Sequence, residues 1–235
     1  MRLVLLLGLA LALAAPAAAQ REPAAQRGED LYGRYCARCH GANATGLEGS
    51  GPSLRGVGAR AGDFYLRTGY MPLRDPSDQP RRQRSILTES QIDALVRYVG
   101  SLGGPPVPRP HPEQGSVSAG MRLFTEHCAG CHQIAGVGGM VTGARVPSLA
   151  DTTPVQVVEA VRIGPYLMPR FSRQQVSDRE LDSIVRYVVE TQSPHDPGGW
   201  AIGHLGPVSE GLIAWLIAGT ALVLVSAAIG ARAKR

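Results

Sequence analysis

The chain has 235 residues, with 24 Lys and Arg against 19 Asp and Glu, a formal net charge of +5. That length suits two small domains and a membrane segment. Residues 20–105 hold 12 Arg and 9 acidic residues and residues 106–199 hold 8 Arg and 9, so neither half has the basic field that a nucleic-acid binder needs.

Residues 1–19 read as a signal peptide. Arg2 supplies the positive start, residues 3–14 an apolar core, and Ala17-Ala18-Ala19 a small-residue cleavage site. The alternative is an uncleaved anchor, since the alanines extend the apolar run towards a spanning length.

Residues 20–102 form the first of two similar units. A short helix with Gly28, Leu31 and Tyr32 leads into Cys36-Ala37-Arg38-Cys39-His40. Two thiols three residues apart on one helical turn can form thioethers with the two vinyl groups of a porphyrin, and the next histidine then lies under the iron. A zinc knuckle, a redox Cys-x-x-Cys pair and a disulfide framework compete for the same spacing. Zinc would leave the histidine unexplained, and a redox pair expects a strand and helix unit that the surrounding pattern lacks. Pro52-Ser53-Leu54 follows, then Arg67-Thr68-Gly69-Tyr70-Met71-Pro72, where Met71 is the unit's single methionine. Arg81-Arg82-Gln83-Arg84 reads as a solvated loop, with a docking patch for an acidic partner as the alternative. Thr88-Glu89-Ser90-Gln91 is a capping box, and Ile92, Leu95, Val96 and Val99 continue it as an amphipathic helix.

Residues 103–115 are a Gly- and Pro-rich linker, and residues 116–193 repeat the first unit. Gly120 to Phe124 stand at the same offsets from Cys128 as Gly28 to Tyr32 from Cys36. Cys128-Ala129-Gly130-Cys131-His132 uses the remaining cysteines and leaves none for a disulfide. Pro147-Ser148-Leu149, Arg162 to Pro169, and the helix opened by Ser177-Asp178-Arg179-Glu180 complete the correspondence. Of three methionines, Met121 precedes the motif and Met140 follows it too soon to pass around a porphyrin edge, whereas Met168 aligns with Met71. Two covalently bound haem c groups are expected, with axial ligands His40 and Met71 on one iron and His132 and Met168 on the other. Thioether ligation raises the reduction potential and leaves no open site for oxygen or peroxide. His111, His127, His195 and His204 read as linker or helix residues.

Residues 194–210 form a membrane-proximal segment rich in glycine. Residues 211–229 lack charge and match the length of a spanning helix, with Trp200 and Trp215 near its outer end. The basic tail, residues 230–235, places the C-terminus in the cytoplasm and the haem-bearing units on the outer face.

Each repeat resembles a class I cytochrome c domain, so the expected fold is all-α: two tandem class I cytochrome c domains and one C-terminal transmembrane helix. The resemblance implies that backbone carbonyls of the Pro52 and Pro147 segments orient the ligating histidines. With Gly198-Gly199-Trp200, Gly206-Pro207-Val208 and Glu210-Gly211 before the membrane helix, the whole chain resembles the dihaem cytochrome c subunit of the actinobacterial-type cytochrome bcc complex, a menaquinol–cytochrome c reductase. That resemblance implies a respiratory-chain relay from a Rieske iron–sulfur protein, beside cytochrome b, to a terminal cytochrome c oxidase, with no active site of its own. A dihaem subunit of a cbb-type oxidase or of a periplasmic dehydrogenase is the alternative. A dihaem peroxidase is disfavoured because both repeats carry a methionine in register.

Overall fold

The computed structural model describes residues 22–193 and 207–233. The expected signal peptide, His195, Trp200, His204, and the last two tail residues lie outside the described residues. The first repeat runs α1 (Glu22–Tyr35), α2 (Ala37–His40), α3 (Gly58–Arg67) and α4 (Glu89–Ser101). The second runs α5 (Val117–His127), α6 (Ala129–His132), a hairpin of β1 (Gly139–Val141) and β2 (Ala144–Val146), then α7 (Pro154–Ile163) and α8 (Asp178–Gln192). A separate helix, α9, spans Pro207–Ala233.

Each repeat is built on a crossing of its first and last helices, α1 with α4 and α5 with α8. Glycine at the crossing is a steric requirement. A Cβ on Gly28 would strike the carbonyl oxygen and carbon of Ala94, and one on Gly120 would strike Ser183 in the same way. Beside the glycines, Tyr32 packs on Tyr98 with ring centroids 5.0 Å apart, and Phe124 on Tyr187 at 5.3 Å. The apolar stripes of α4 and α8 supply the two cores: Ile92, Leu95 and Val96 in one, Leu181, Ile184 and Val185 in the other. Both capping boxes expected from sequence form, Thr88 with Gln91 and Ser177 with Glu180. A third opens α7, where Thr153 pairs with Gln156 and Pro154 occupies the first turn.

The hairpin is an addition to the expected helical fold. Three more residues separate His132 from Pro147 than His40 from Pro52, and they close antiparallel, with Val141 opposite Ala144 and Gly143 in the turn at φ 81°. The first repeat has only an isolated bridge there, Leu47 with Gly51.

The repeats pack through α3 and α7. The linker is seated on both. Arg60 donates its backbone N–H to the Pro105 carbonyl at 3.2 Å, and His111 donates its own to Oδ1 of Asp182 at 2.8 Å. Arg82, from the cluster read as a solvated loop, reaches across to the start of α7. Its guanidinium donates to the Asp151 carbonyl at 3.1 Å and to Oε1 of Gln156 at 3.2 Å.

Considered by itself, α9 contains a 22-residue stretch, Gly211–Arg232, with mean hydropathy 2.4 and none of it buried by protein. An apolar helix with an all-round exposed surface is what lipid, rather than a protein core, stabilises.

Candidate haem-binding sites

Two cavities lie in the repeats, of about 660 Å³ in the first and about 180 Å³ in the second. The first is lined by Cys36, Cys39, His40 and Met71, the second by Cys128, Cys131, His132 and Met168. All eight residues singled out in the sequence are thus brought together in two sets of four. Met121 and Met140, which the spacing set aside, are 46% and 78% exposed.

The two motifs fold alike. Cys36 and Cys128 are the N-cap residues of α2 and α6, with φ, ψ of −121°, −37° and −123°, −37°. The one-turn helix then puts the second cysteine and the histidine on the cavity wall. Burial pushes the Cys36 and Cys128 thiols up to about 11, with their partner cysteines adding to the effect. These are apolar sites that keep a thiol protonated, unlike those that hold a thiolate for zinc or redox exchange. Among the described residues no group of three or more His, Cys, Asp or Glu side chains could hold a metal ion. The four cysteines are free. Their chemistry fits thioether attachment to a large apolar macrocycle.

Nδ1 of His40 lies 2.7 Å from the carbonyl oxygen of Pro52. In the tautomer that leaves Nε2 for iron, Nδ1–H donates to that carbonyl and fixes the ring. Gly51 permits this approach, since a Cβ there would come within 2.9 Å of the Cys39 carbonyl and 3.1 Å of Nδ1. In the second repeat, burial holds His132 below the usual imidazole range, with the Pro147 carbonyl acting in the opposite direction. That carbonyl is near enough to act on the ring, but Nδ1 of His132 is buried without a partner of hydrogen-bond geometry. The burial of His132 favours its neutral imidazole, the form that binds iron.

The methionine loops are pinned at their roots. Met71 donates its backbone N–H to the Tyr65 carbonyl at 3.0 Å, and its peptide to Pro72 is cis. Met168 donates to the Pro165 carbonyl at 3.0 Å. Arg60, Arg162 and Arg170 bring positive charge to the first cavity. This matches the acidic propionates of a haem.

Comparison with known proteins agrees with this geometry. The family model described as cytochrome c oxidase, cbb3-type, subunit III, matches residues 23–99 and 115–188. The cytochrome bc1 complex cytochrome c subunit of Mycobacterium tuberculosis H37Rv is 36% identical over 215 residues, covering 87% of this chain and 77% of that protein. Its counterpart in Corynebacterium efficiens is 36% identical over 238 residues, covering 92% and 80%. This chain belongs to the actinobacterial-type cytochrome bc1 complex cytochrome c subunits. The cbb3-type cytochrome c oxidase subunit CcoP of Rhodobacter capsulatus is also similar, at 32% identity, but covers only 68% of this chain and 60% of that protein. The bc1 relatives match beyond the two repeats, while the cbb3-type similarity is no longer than the repeats themselves.

As a bc1 complex cytochrome c subunit the protein transfers electrons, and its two cytochrome c regions with their Cys-x-x-Cys motifs imply covalent haem c. The tertiary structure adds residues that the motifs did not reveal. Tyr70 and Tyr166 each line both cavities, so the subunit's two sites share walls. His127, at the end of α5, lines the second cavity and packs on Phe171 with ring centroids 5.7 Å apart. Glu159 is fully buried between the repeats. Its one visible signal is an acid inside the apolar run Val157-Val158-Glu159-Ala160-Val161.

Proposed function

We propose that the subunit binds two haem c groups, one on Cys36 and Cys39 with His40 and Met71 as axial ligands, the other on Cys128 and Cys131 with His132 and Met168. The reading rests on one observation: each cavity is lined by a complete set of two cysteines, one histidine and one methionine. When bound, haem c supplies one-electron Fe(III)/Fe(II) chemistry. The chain's own residues attach it, orient the proximal ring through the Pro52 carbonyl, keep water from the iron and fill the sixth position. The domain limits are 20–102 and 116–193, joined by the linker 103–115.

In this role the protein is a relay that takes electrons from a Rieske iron–sulfur protein, alongside cytochrome b, and passes them to a terminal cytochrome c oxidase. The quinol site belongs to cytochrome b. Residues 211–229 anchor it in the plasma membrane in a single pass, with the haem domains outside and the basic tail in the cytoplasm. A dihaem subunit of a cbb3-type oxidase is the second reading, favoured by the family model over residues 23–99 and 115–188. The longer similarity to the bc1 subunits favours the first.

Affinity purification from native membranes through the C-terminal tail separates them. Recovery of cytochrome b and a Rieske protein, with quinol-dependent reduction of two haems per chain, is the expected outcome. Copurification with a catalytic oxidase subunit or a dehydrogenase alone overturns it.

A further inference from the structure

Glu159 of α7 has no exposed surface, and both its carboxyl oxygens lack a hydrogen-bond partner. An unpaired ionised carboxylate in such a place costs several kcal/mol, so the group holds a proton unless nearby positive charge stabilises its anion. Its position gives that balance a use. Glu159 lies on one of the two helices that pack the repeats together. On α7, Val157, Ala160 and Val161 wall the second cavity and Arg162 and Ile163 the first. On α3, Phe64 walls the second and Arg60, Tyr65 and Leu66 the first. The carboxyl is therefore in the contact between helices that wall both candidate haem sites.

The charges facing it are mixed. Asp63, Arg67 and Arg60 of α3 act on it directly, Asp63 against its ionisation and the two arginines in favour. Nε of Arg60 is itself buried without a partner. On its own helix Arg162 is committed to Asp178 of α8 at 2.7 Å, with Arg173 on the same carboxylate at 2.9 Å. Arg170 and Arg173 approach Arg60 from the methionine loop, and Arg82 bonds Gln156 at the start of α7. Asp63 also connects to the surface. Arg67 joins it to Asp93, whose side chain is 48% exposed, and to Glu89.

We propose that Glu159 is a proton-binding site coupled to the oxidation state of the two irons. With haem bound as proposed, reduction of its iron from Fe(III) to Fe(II) by the electron donor would remove one positive charge near the carboxylate, and Glu159 would take one proton from water. When the electron leaves for the acceptor, the carboxyl returns that proton. Atoms and charge balance without another reactant. The inference rests on the haem reading above. Burial, with Asp63 beside it, pushes the Glu159 carboxyl up to about 9. The coupling is therefore read on the alkaline side of neutrality.

The test is a redox titration of the purified full-length subunit, within its complex, at a series of pH values from 6 to 10. Haem content and thioether absorption are recorded first, so a chain without two six-coordinate haems is recognised as a failure of the haem reading. The expected result is a midpoint potential of at least one haem that falls as pH rises, by up to a tenfold change in the redox equilibrium per pH unit. In Glu159→Gln this dependence is lost, and in Asp63→Asn it moves to lower pH because a repelling negative charge is gone. Redox-difference infrared spectra of the wild type show a protonated carboxyl signal on reduction, a readout that needs no variant. A Glu159→Gln profile superimposable on the wild type, or a wild type with neither pH dependence nor a carboxyl signal, overturns the proposal.

Discussion

Arg162 donates from Nη2 to Oδ1 of Asp178 at 2.7 Å, and its Nη1 donates to the carbonyls of Phe171, Ser172 and Val176 at 3.3, 3.1 and 2.8 Å. One buried guanidinium thereby ties the end of α7, the loop that carries Met168 and the first turn of α8. In the first repeat Arg67 occupies the corresponding place and pairs with Glu89, the first residue of α4, as well as with Asp63 and Asp93. Both repeats thus have an arginine joint to the last helix, from α3 to α4 in the first and from α7 to α8 in the second. Arg162→Gln leaves several carbonyls without a donor and is expected to lower stability by about 2–3 kcal/mol. Denaturant unfolding followed at the second haem's absorption checks the size, and weakening of its thioether-to-iron band checks the link to Met168.

The axial assignment makes its own demand. Met71→His or Met168→His exchanges a thioether for an imidazole and is expected to lower the potential of that haem alone while abolishing its thioether absorption band. Potentiometric titration with both haems resolved gives the answer. An unchanged band in either variant means that another side chain holds that iron.

At the helix crossings, Gly28→Ala and Gly120→Ala place a methyl against backbone of the facing helix, where no rotamer offers relief. Each is expected to cost roughly 1–3 kcal/mol, as overpacking does. Gly33→Ala is the control, since a Cβ there meets nothing within 4 Å. Thermal unfolding of the three variants should separate the crossing glycines from Gly33.

The burial of Glu159 also shapes stability against pH. A carboxyl raised from 4.5 to about 9 on folding keeps its proton in the native state after the unfolded chain has lost it. Between those values the unfolded state binds fewer protons, so stability falls with rising pH, by at most about 1.4 kcal/mol per unit, and levels off above the folded value. Glu159→Gln removes that slope. Asp178 acts in the opposite sense: the hydrogen bonds of Arg162 and Arg173 outweigh its partial burial and hold it below the usual range. Its contribution is present above the unfolded carboxylate pKa and is lost as pH falls through the folded one. Urea midpoints measured from pH 3 to 10 distinguish the two.

Much of the site is written in local sequence. Two thiols and a histidine within five residues set their own geometry on a single helical turn, which is why Cys36 to His40 and Cys128 to His132 adopt nearly the same backbone angles. Capping boxes and 3.6-residue stripes are local in the same way, so α4 and α8 were legible from their first residues onward. The hairpin was not, because three-residue strands beside Gly138 and Gly139 carry too little pattern to show a period. Arg82 looked like one more charge in a solvated loop. Its partners, Asp151 and Gln156, lie 69 and 74 residues away, and no spacing rule reaches that far.

The sequence by itself determined the chemistry: four cysteines, two histidines and two aligned methionines define the candidate attachment and ligation sets, and an apolar helix with a basic end defines an anchor. Those properties follow from covalent reach and helical period, which act over a few residues. Only the tertiary structure decided that the two sites share walls at Tyr70 and Tyr166, that the linker is seated on both repeats, and that Glu159 is sealed between them. Burial and electrostatic environment are sums over neighbours from distant parts of the chain, and they exist only once α3 and α7 have packed.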